Sequence, residues 1–244
     1  DEVEDGRRNV VSGCDIYQVG TSGISLTGGD RRTLAPGAHA ALNNDIHHYS
    51  RRKRTNCPAI ALDGVGLRAA HNAVHDAPHM GILYSGNDHL IELNELYRLC
   101  WETGDVGAIY SGRDWTFRGN VVRHNFIHDT LAPGQVGSMG VYLDDSHSST
   151  AIIGNIFFRN DYAAFIGGGR DNLVENNIFV DCRKAVHLDN RSQGWANKYQ
   201  VPGGDHRMYE KLEEVRHTDP PYSLRYPELA RILEIGRASG RERV

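Results

Sequence analysis

Three aspartates stand at positions where paired carboxyl chemistry could occur. Asp144 and Asp145 close the segment GVYLDD that begins at Gly140, and Asp189 closes AVHLD, which begins at Ala185. Between them the related segment AAFI, from Ala163, is followed by Gly167. If the three segments stack as neighbouring parallel strands, Asp144 and Asp189 stand two strands apart, about 9–10 Å between Cα atoms. The intervening Gly167 brings no side chain, so the gap is expected to admit a sugar ring or a water. Glycosidic bond hydrolysis needs two carboxyl groups in such an arrangement, about 5–5.5 Å apart for retention and about 6.5–9.5 Å for inversion. One of them must stay protonated, which requires surroundings that raise its pKa. Asp145 can take the place of Asp144 in either role. A single aspartate at a strand end commonly does no more than cap a turn. Two in one column, beside aromatics and a glycine gap, favour function.

Alternation places Tyr142, Phe165 and His187 on the same outward face as the aspartates. The residues that follow, Arg113, His147, Arg170 and Arg191, are candidates to hold a substrate, since a planar guanidinium suits hydroxyl or carboxylate recognition. They could equally be solvated surface groups. A second cluster comprises His47, His75 and His128. Among these His128 is the candidate for substrate contact, because inserted loops at residues 49–56, 99–105 and 130–138 follow the same slot and loops of that kind carry function. His71, His75 and His79 have the spacing of a helical metal trio, but no helix is expected there and no metal site is assigned.

The elements that must position these groups form a repeat. Asn-x-apolar-x recurs at Asn44, Asn72, Asn94, Asn125, Asn155 and Asn177, with a weaker first copy at Cys14. A short strand often opening with Gly or Ala follows each copy: GISL from Gly23, AIAL from Ala59, GILY from Gly81, GAIY from Gly107, GVYL from Gly140, AAFI from Ala163 and AVHL from Ala185. A third, less regular strand lies between, as at His89–Glu92, Trp115–Arg118, Ala151–Ile153 and Asn172–Glu175. The shortest Asn-to-Asn spacing is 22 residues, and longer spacings read as loop insertions. A coil of that length with three short strands specifies an all-β fold, a right-handed parallel β-helix of about seven coils. The asparagines read as an inward ladder bonding from coil to coil rather than as a functional column. The six residues Ile46, Val74, Leu96, Ile127, Phe157 and Phe179 are expected to form one buried stack. In this register the outward column beside the aspartates reads Thr27, Asp63, Ser85 and Ser111, with Ile109 on the same face as Tyr142.

Residues 1–195 are therefore assigned to the β-helix. Residues 196–233 read as an irregular, partly helical insertion or a cap over the end of the solenoid, with helices near residues 208–215 and 227–233. Residues 234–244, EIGRASGRERV, resemble the translation of a short-read sequencing adapter and are expected to be an artefact that packs against nothing. The natural protein is expected to continue at both ends.

Composition narrows the partners. The chain of 244 residues has 39% hydrophobic and 24% charged residues and a net charge of −4. That gives no electrostatic case for nucleic acid, and the short basic run at residues 51–54 lacks interleaved aromatics. No apolar run reaches the ~20 residues of a membrane helix. The four cysteines, Cys14, Cys57, Cys100 and Cys182, form no C-x-x-C pair. Disulfides are open, and the oligomeric state cannot be read.

The segments GVYLDDS and AVHLDNRSQGWA, with PPYSLRYPELARIL further on, resemble bacterial right-handed β-helix carbohydrate-active enzymes. The resemblance is to glycoside hydrolase family 141, whose members include α-L-fucosidases and xylanases, and it spans residues 44–233. It implies two catalytic aspartates on the outer sheet, at Asp144 or Asp145 and at Asp189, a carbohydrate substrate, no cofactor, and a secreted, periplasmic or cell-surface location. The polygalacturonases also carry an Asp-Asp pair, but their Gly-His-Gly element is absent here. Two rival functions remain. One is a calcium-dependent polysaccharide lyase or epimerase, with the carboxylates on Ca²⁺ and Arg170 or Arg191 as base, although calcium wants six to eight oxygens. The other is a non-catalytic carbohydrate-binding solenoid.

Overall fold

A computed structural model describes residues 6–134 and 136–234. Seven coils each contribute one strand to each of three parallel sheets. The first sheet holds the strand before each asparagine slot, from Val10–Ser12 to Leu173–Glu175. The second holds the strand after it, from Asp15–Tyr17 to Ile178–Val180. The third, here the site sheet, runs from Ile24–Asp30 through Val106–Gly112, Ser138–Asp144 and Tyr162–Gly167 to Lys184–Asp189. One antiparallel strand, Ala35–Pro36, pairs with its first member.

A single backbone device makes the corner between the first two sheets. The residue before each slot takes a left-handed φ, 53–58° at Asn43, His71, Leu93, His124 and Asn176 and 64° at Gly154. The chain turns there and the slot asparagine points inward. Asn44, Asn72, Asn94, Asn125, Asn155 and Asn177 then bond amide to amide at 2.9–3.0 Å along the solenoid. Each carboxamide oxygen also accepts the backbone N–H of the preceding slot, at 2.8–3.0 Å between asparagines. Buried corner amides are thereby satisfied without water. Directly after the slots, Ile46, Val74, Leu96, Ile127, Phe157 and Phe179 stack in register as expected, with the first five fully buried.

One local expectation fails, and of the two alternatives for residues 196–233 the cap is not the one seen. Residues Trp115–Arg118 form a turn, and the strand of that coil is Asn120–Arg123. Residues 196–234 do not cap the end of the solenoid. They form short helices, Met208–Glu214, Tyr222–Arg225 and Pro227–Ala230, laid along its flank. Leu212, Tyr222, Tyr226 and Leu229 bury themselves against Leu34 and Trp115, and the Tyr222 hydroxyl donates to Asn87 at 3.2 Å. The apolar stripe of this strap finds its partner on early coils, whereas Leu188 of the last coil stays 68% exposed. The stretch expected to be an artefact lies outside the described residues apart from the exposed Glu234. All four cysteines are free. No helix among the described residues is long and apolar enough to cross a membrane.

Candidate active site

Strand register builds the site. On the outward face of the site sheet, Tyr110, Tyr142, Phe165 and His187 are direct neighbours in successive coils. Their rings pack edge-on or tilted, with centroids at 5.4, 5.0 and 4.3 Å. Two residues on, Gly112 pairs with Asp144 and Gly167 with Asp189. Asp144 thus stands between two side-chain-free neighbours. The expected column is corrected here. The strand at Val106–Gly112 begins one residue early, so Ile109 and Ser111 point inward and are fully buried, while Tyr110 and Gly112 take the outward places.

The gap over Gly167 is not empty. A Cβ on Gly167 would meet the Arg191 guanidinium at 2.7 Å. Asp189 ends the last strand, and a 3₁₀ turn at Arg191–Gln193 folds back at once, carrying Arg191 into the groove. Its Nε donates to Asp189 Oδ1 at 3.0 Å and Nη2 to Asp189 Oδ2 at 2.8 Å. Nη1 donates to Asp144 Oδ1 at 2.7 Å and to Asp145 Oδ1 at 3.2 Å. One cation therefore clamps all three candidate carboxylates. Because a guanidinium is small and planar, the Asp144 and Asp189 oxygens it bridges lie at most roughly 8 Å apart, below the upper limit for an inverting glycosidase.

The environments of the two carboxyls differ. Burial, with the neighbouring Asp145 charge, pushes Asp144 above the usual aspartate range, although Tyr110 donates to it at 2.8 Å. Burial also opposes ionisation of Asp189, but the bonds from Arg191 outweigh it and hold the group below its ordinary value. Asp145 receives Arg113 Nε at 3.0 Å, and His206 Nε2 lies 3.7 Å from it. Burial, with Lys184, lowers His187.

Arg191 also partitions the space. A cavity of about 330 Å³ is lined by Asp144, Asp145, Arg113, Tyr142, Phe165 and His187, with Tyr162, Asp105, Arg191 and Trp195. A second, of about 710 Å³, holds Asp189 and Arg170 and runs beneath the C-terminal strap. Asp144 and Asp189 therefore face adjacent cavities separated by the guanidinium, not one open cleft.

Two expected contacts lie elsewhere. His147 is fully buried, bonded to Thr150 Oγ1 at 2.7 Å, and burial lowers its pKa to about 3. It turns inward because Asp145 and Ser146 both take left-handed φ. His128 is on the second sheet, in a stack of rings running Tyr17, His47, His75, Tyr97, His128, and pairs with Asp129 at 2.7 Å.

The sequence reading missed Asp105, Tyr110, Trp195 and Gln200. Asp105 is in the flagged loop at residues 99–105 and accepts the Tyr142 hydroxyl at 3.0 Å. Trp195 lies within the quoted motif AVHLDNRSQGWA, and its ring faces Arg191 at 5.5 Å. No signal marked Tyr110 beyond its place after GAI, nor Gln200.

Among the described residues, one group sets three metal-type ligand atoms within 4.8 Å of one another: Asp15, Asp45 and His47. It is on the second sheet, and its side chains pair with one another or with the next coil. The site aspartates form no such group, since they converge on Arg191.

No curated protein and no solved structure compared with the chain matches it. A family of right-handed β-helix regions matches residues 58–200, more than half of the chain and the stretch that carries Asp144, Asp145 and Asp189. The chain belongs to the right-handed β-helix region family.

Proposed function

We propose that the protein is a glycoside hydrolase acting on a polysaccharide or oligosaccharide, with Asp144 as acid and Asp189 as its partner. The observation that carries this reading is the pair of carboxyls on opposite edges of one guanidinium, with Asp144 in the cavity lined by Tyr142, Phe165 and His187 and Asp189 in the one beside it. Burial favours the protonated form of Asp144, as an acid requires, and Arg191 keeps Asp189 ionised, as a nucleophile or base requires. Substrate entry swings the Arg191 Nη1 edge away from Asp144 and Asp145 while Nε and Nη2 stay on Asp189, and joins the two cavities. Asp144 then gives its proton to the leaving glycosidic oxygen as the bond breaks. Asp189 attacks the anomeric carbon or takes a proton from the attacking water. The resemblance to glycoside hydrolase family 141 supports the same pair, and with it a secreted, periplasmic or cell-surface location.

A second assignment of the partner has its own observation. Asp105 lines the same cavity as Asp144 and, among the described residues, its carboxylate pairs with no arginine and accepts the Tyr142 hydroxyl. It could serve as base without any movement of Arg191. The calcium-dependent lyase draws less support, because a guanidinium holds the place where the three carboxylates converge. Hydrolysis of plant and algal glycans, screened with and without chelator, tests the reading. Reducing ends released by water addition support it. Unsaturated products, or activity that chelator abolishes, favour the lyase. Binding without turnover favours a carbohydrate-binding solenoid.

A further inference from the structure

We propose that Asp15, Asp45 and His47 bind a divalent metal ion of the zinc class, which ties the first two coils of the solenoid together. The three are on the second sheet, not on the sheet that carries Asp144 and Asp189, so the proposal is independent of the hydrolase reading. Asp15 belongs to the strand Asp15–Tyr17, and Asp45 and His47 to its neighbour Asp45–His47. Register sets Asp15 directly beside Asp45, and one ligand atom from each of the three side chains lies within 4.8 Å of the other two. His47 Nε2 is 3.3 Å from Asp15 Oδ1. Two ligands of a tetrahedral zinc with bonds of ~2.0–2.1 Å stand ~3.3 Å apart.

Comparison with the other coils shows why a cation is wanted here. Like charges set side by side on a sheet repel. Further along this outward column Glu95 has Ala73 and Phe126 as neighbours, so among the described residues of the column only Asp15 and Asp45 are adjacent carboxylates. His75 and His128 are each followed by an aspartate that an arginine neutralises: Arg98 reaches Asp76 at 2.5 Å and Arg159 reaches Asp129 at 2.7 Å. Among the described residues no lysine or arginine pairs with Asp15 or Asp45, whose partners are His47 and His75. His47 is followed instead by His48, and the two Nδ1 atoms are 2.7 Å apart. When His47 donates that hydrogen bond, its Nε2 lone pair faces Asp15, as in metal-bound histidines whose other ring N–H is anchored on a partner. Asp45 is oriented in the same way. His75 Nε2 lies 2.9 Å from it, and His75 Nδ1 lies 2.7 Å from Asp76. The Asp15 and Asp45 side chains are 64% and 52% exposed, so water can complete a four-coordinate shell. One imidazole with two carboxylates suits zinc, whereas calcium takes six to eight oxygens.

Calorimetric titration of the whole chain with zinc chloride tests the site, together with thermal unfolding at rising zinc. Asp15→Asn keeps the shape and removes one charged ligand. His47→Phe keeps a ring in the stack between Tyr17 and His75, at 5.2 and 4.9 Å, and removes the nitrogen. His75→Phe leaves all three ligands and removes only the anchor of Asp45. Circular dichroism establishes that the variants fold. The expected result is a zinc site of one ion per chain and an unfolding midpoint that rises with zinc. Asp15→Asn and His47→Phe should each weaken that site more than tenfold, and His75→Phe about tenfold. Absence of binding up to millimolar zinc overturns the proposal. So does equal zinc affinity in the wild type, Asp15→Asn and His47→Phe, which places the ion on other histidines. Calcium binding that Asp15→Asn abolishes and His47→Phe leaves unchanged overturns the assignment to a zinc-class ion.

Discussion

Replacing Arg191 with Met tests the clamp at the centre of the site. Arg191 is 8% exposed, and its guanidinium is shared among Asp144, Asp145 and Asp189. Met keeps much of the stem's packing and removes the charge. Asp144 and Asp145, both under 8% exposed in their side chains, then retain Arg113 as their nearest cation. Removing one partner of a buried ion pair costs about 3–5 kcal/mol, because the other is left uncompensated. The pH dependence has a definite sign. Asp189 is depressed in the folded chain, so the stability it gains from Arg191 is fully present above its unfolded value of about 3.9 and is lost as pH falls through the folded value. Asp144 is raised even with Arg191 in place. Without Arg191 its ionisation is costlier still, which adds to the penalty at neutral pH and disappears on protonation. Urea unfolding of both proteins, at neutral pH and at an acid pH below ~4, measures the difference. We expect about 3–5 kcal/mol at neutral pH, falling by half or more in acid. A loss under about 1 kcal/mol, or one of equal size at both pH values, would refute the clamp.

Asn94→Ala removes four ladder bonds, two donated and two accepted, and should lower stability by at least about 3 kcal/mol in the same urea assay. Leu93 holds a left-handed φ of 56° while 45% exposed. Leu93→Asn should therefore raise stability by roughly 1 kcal/mol, read as a higher denaturation midpoint with an unchanged slope. Turnover should be bell-shaped in pH. Its acid limb falls as Asp189 protonates below the ordinary aspartate range, and its alkaline limb falls as Asp144 ionises above it. Initial rates across pH check both limbs, and Asp144→Asn should abolish the alkaline one.

The solenoid was legible because its determinants are local and repeated. Each slot asparagine, the apolar residue two places on, and the Gly or Ala opening the third strand recur whatever the loops between them do. The column bearing the aspartates was legible for the same reason, from Tyr142 to His187. Register slipped at GAIY because Gly107 copies the glycine of GILY, while the strand begins at Val106, and only hydrogen bonding to the neighbouring coils sets the phase. The occupant of the Gly167 gap was hidden. Arg191 follows Asp189 by two residues, and nothing in DNRSQ announces that a 3₁₀ turn sends it back over the sheet. His147 read as outward by counting on from the strand, but two left-handed residues reverse it. Asp105 and Gln200 reach their cavities from an inserted loop and the strap, whose paths depend on tertiary packing.

The central claim is that Asp144 and Asp189 act together on one glycosidic bond. The most direct measurement is kcat on a cleaved oligosaccharide for the wild-type chain and for Asp144→Asn, Asp189→Asn and Asp105→Asn, each shown to be folded. The account expects Asp144→Asn and Asp189→Asn each to lose about 10²–10⁴-fold, with Asp105→Asn near wild type. Near-normal turnover by Asp189→Asn would contradict it. If Asp105→Asn were then the variant that lost activity, the partner of Asp144 would be the loop aspartate.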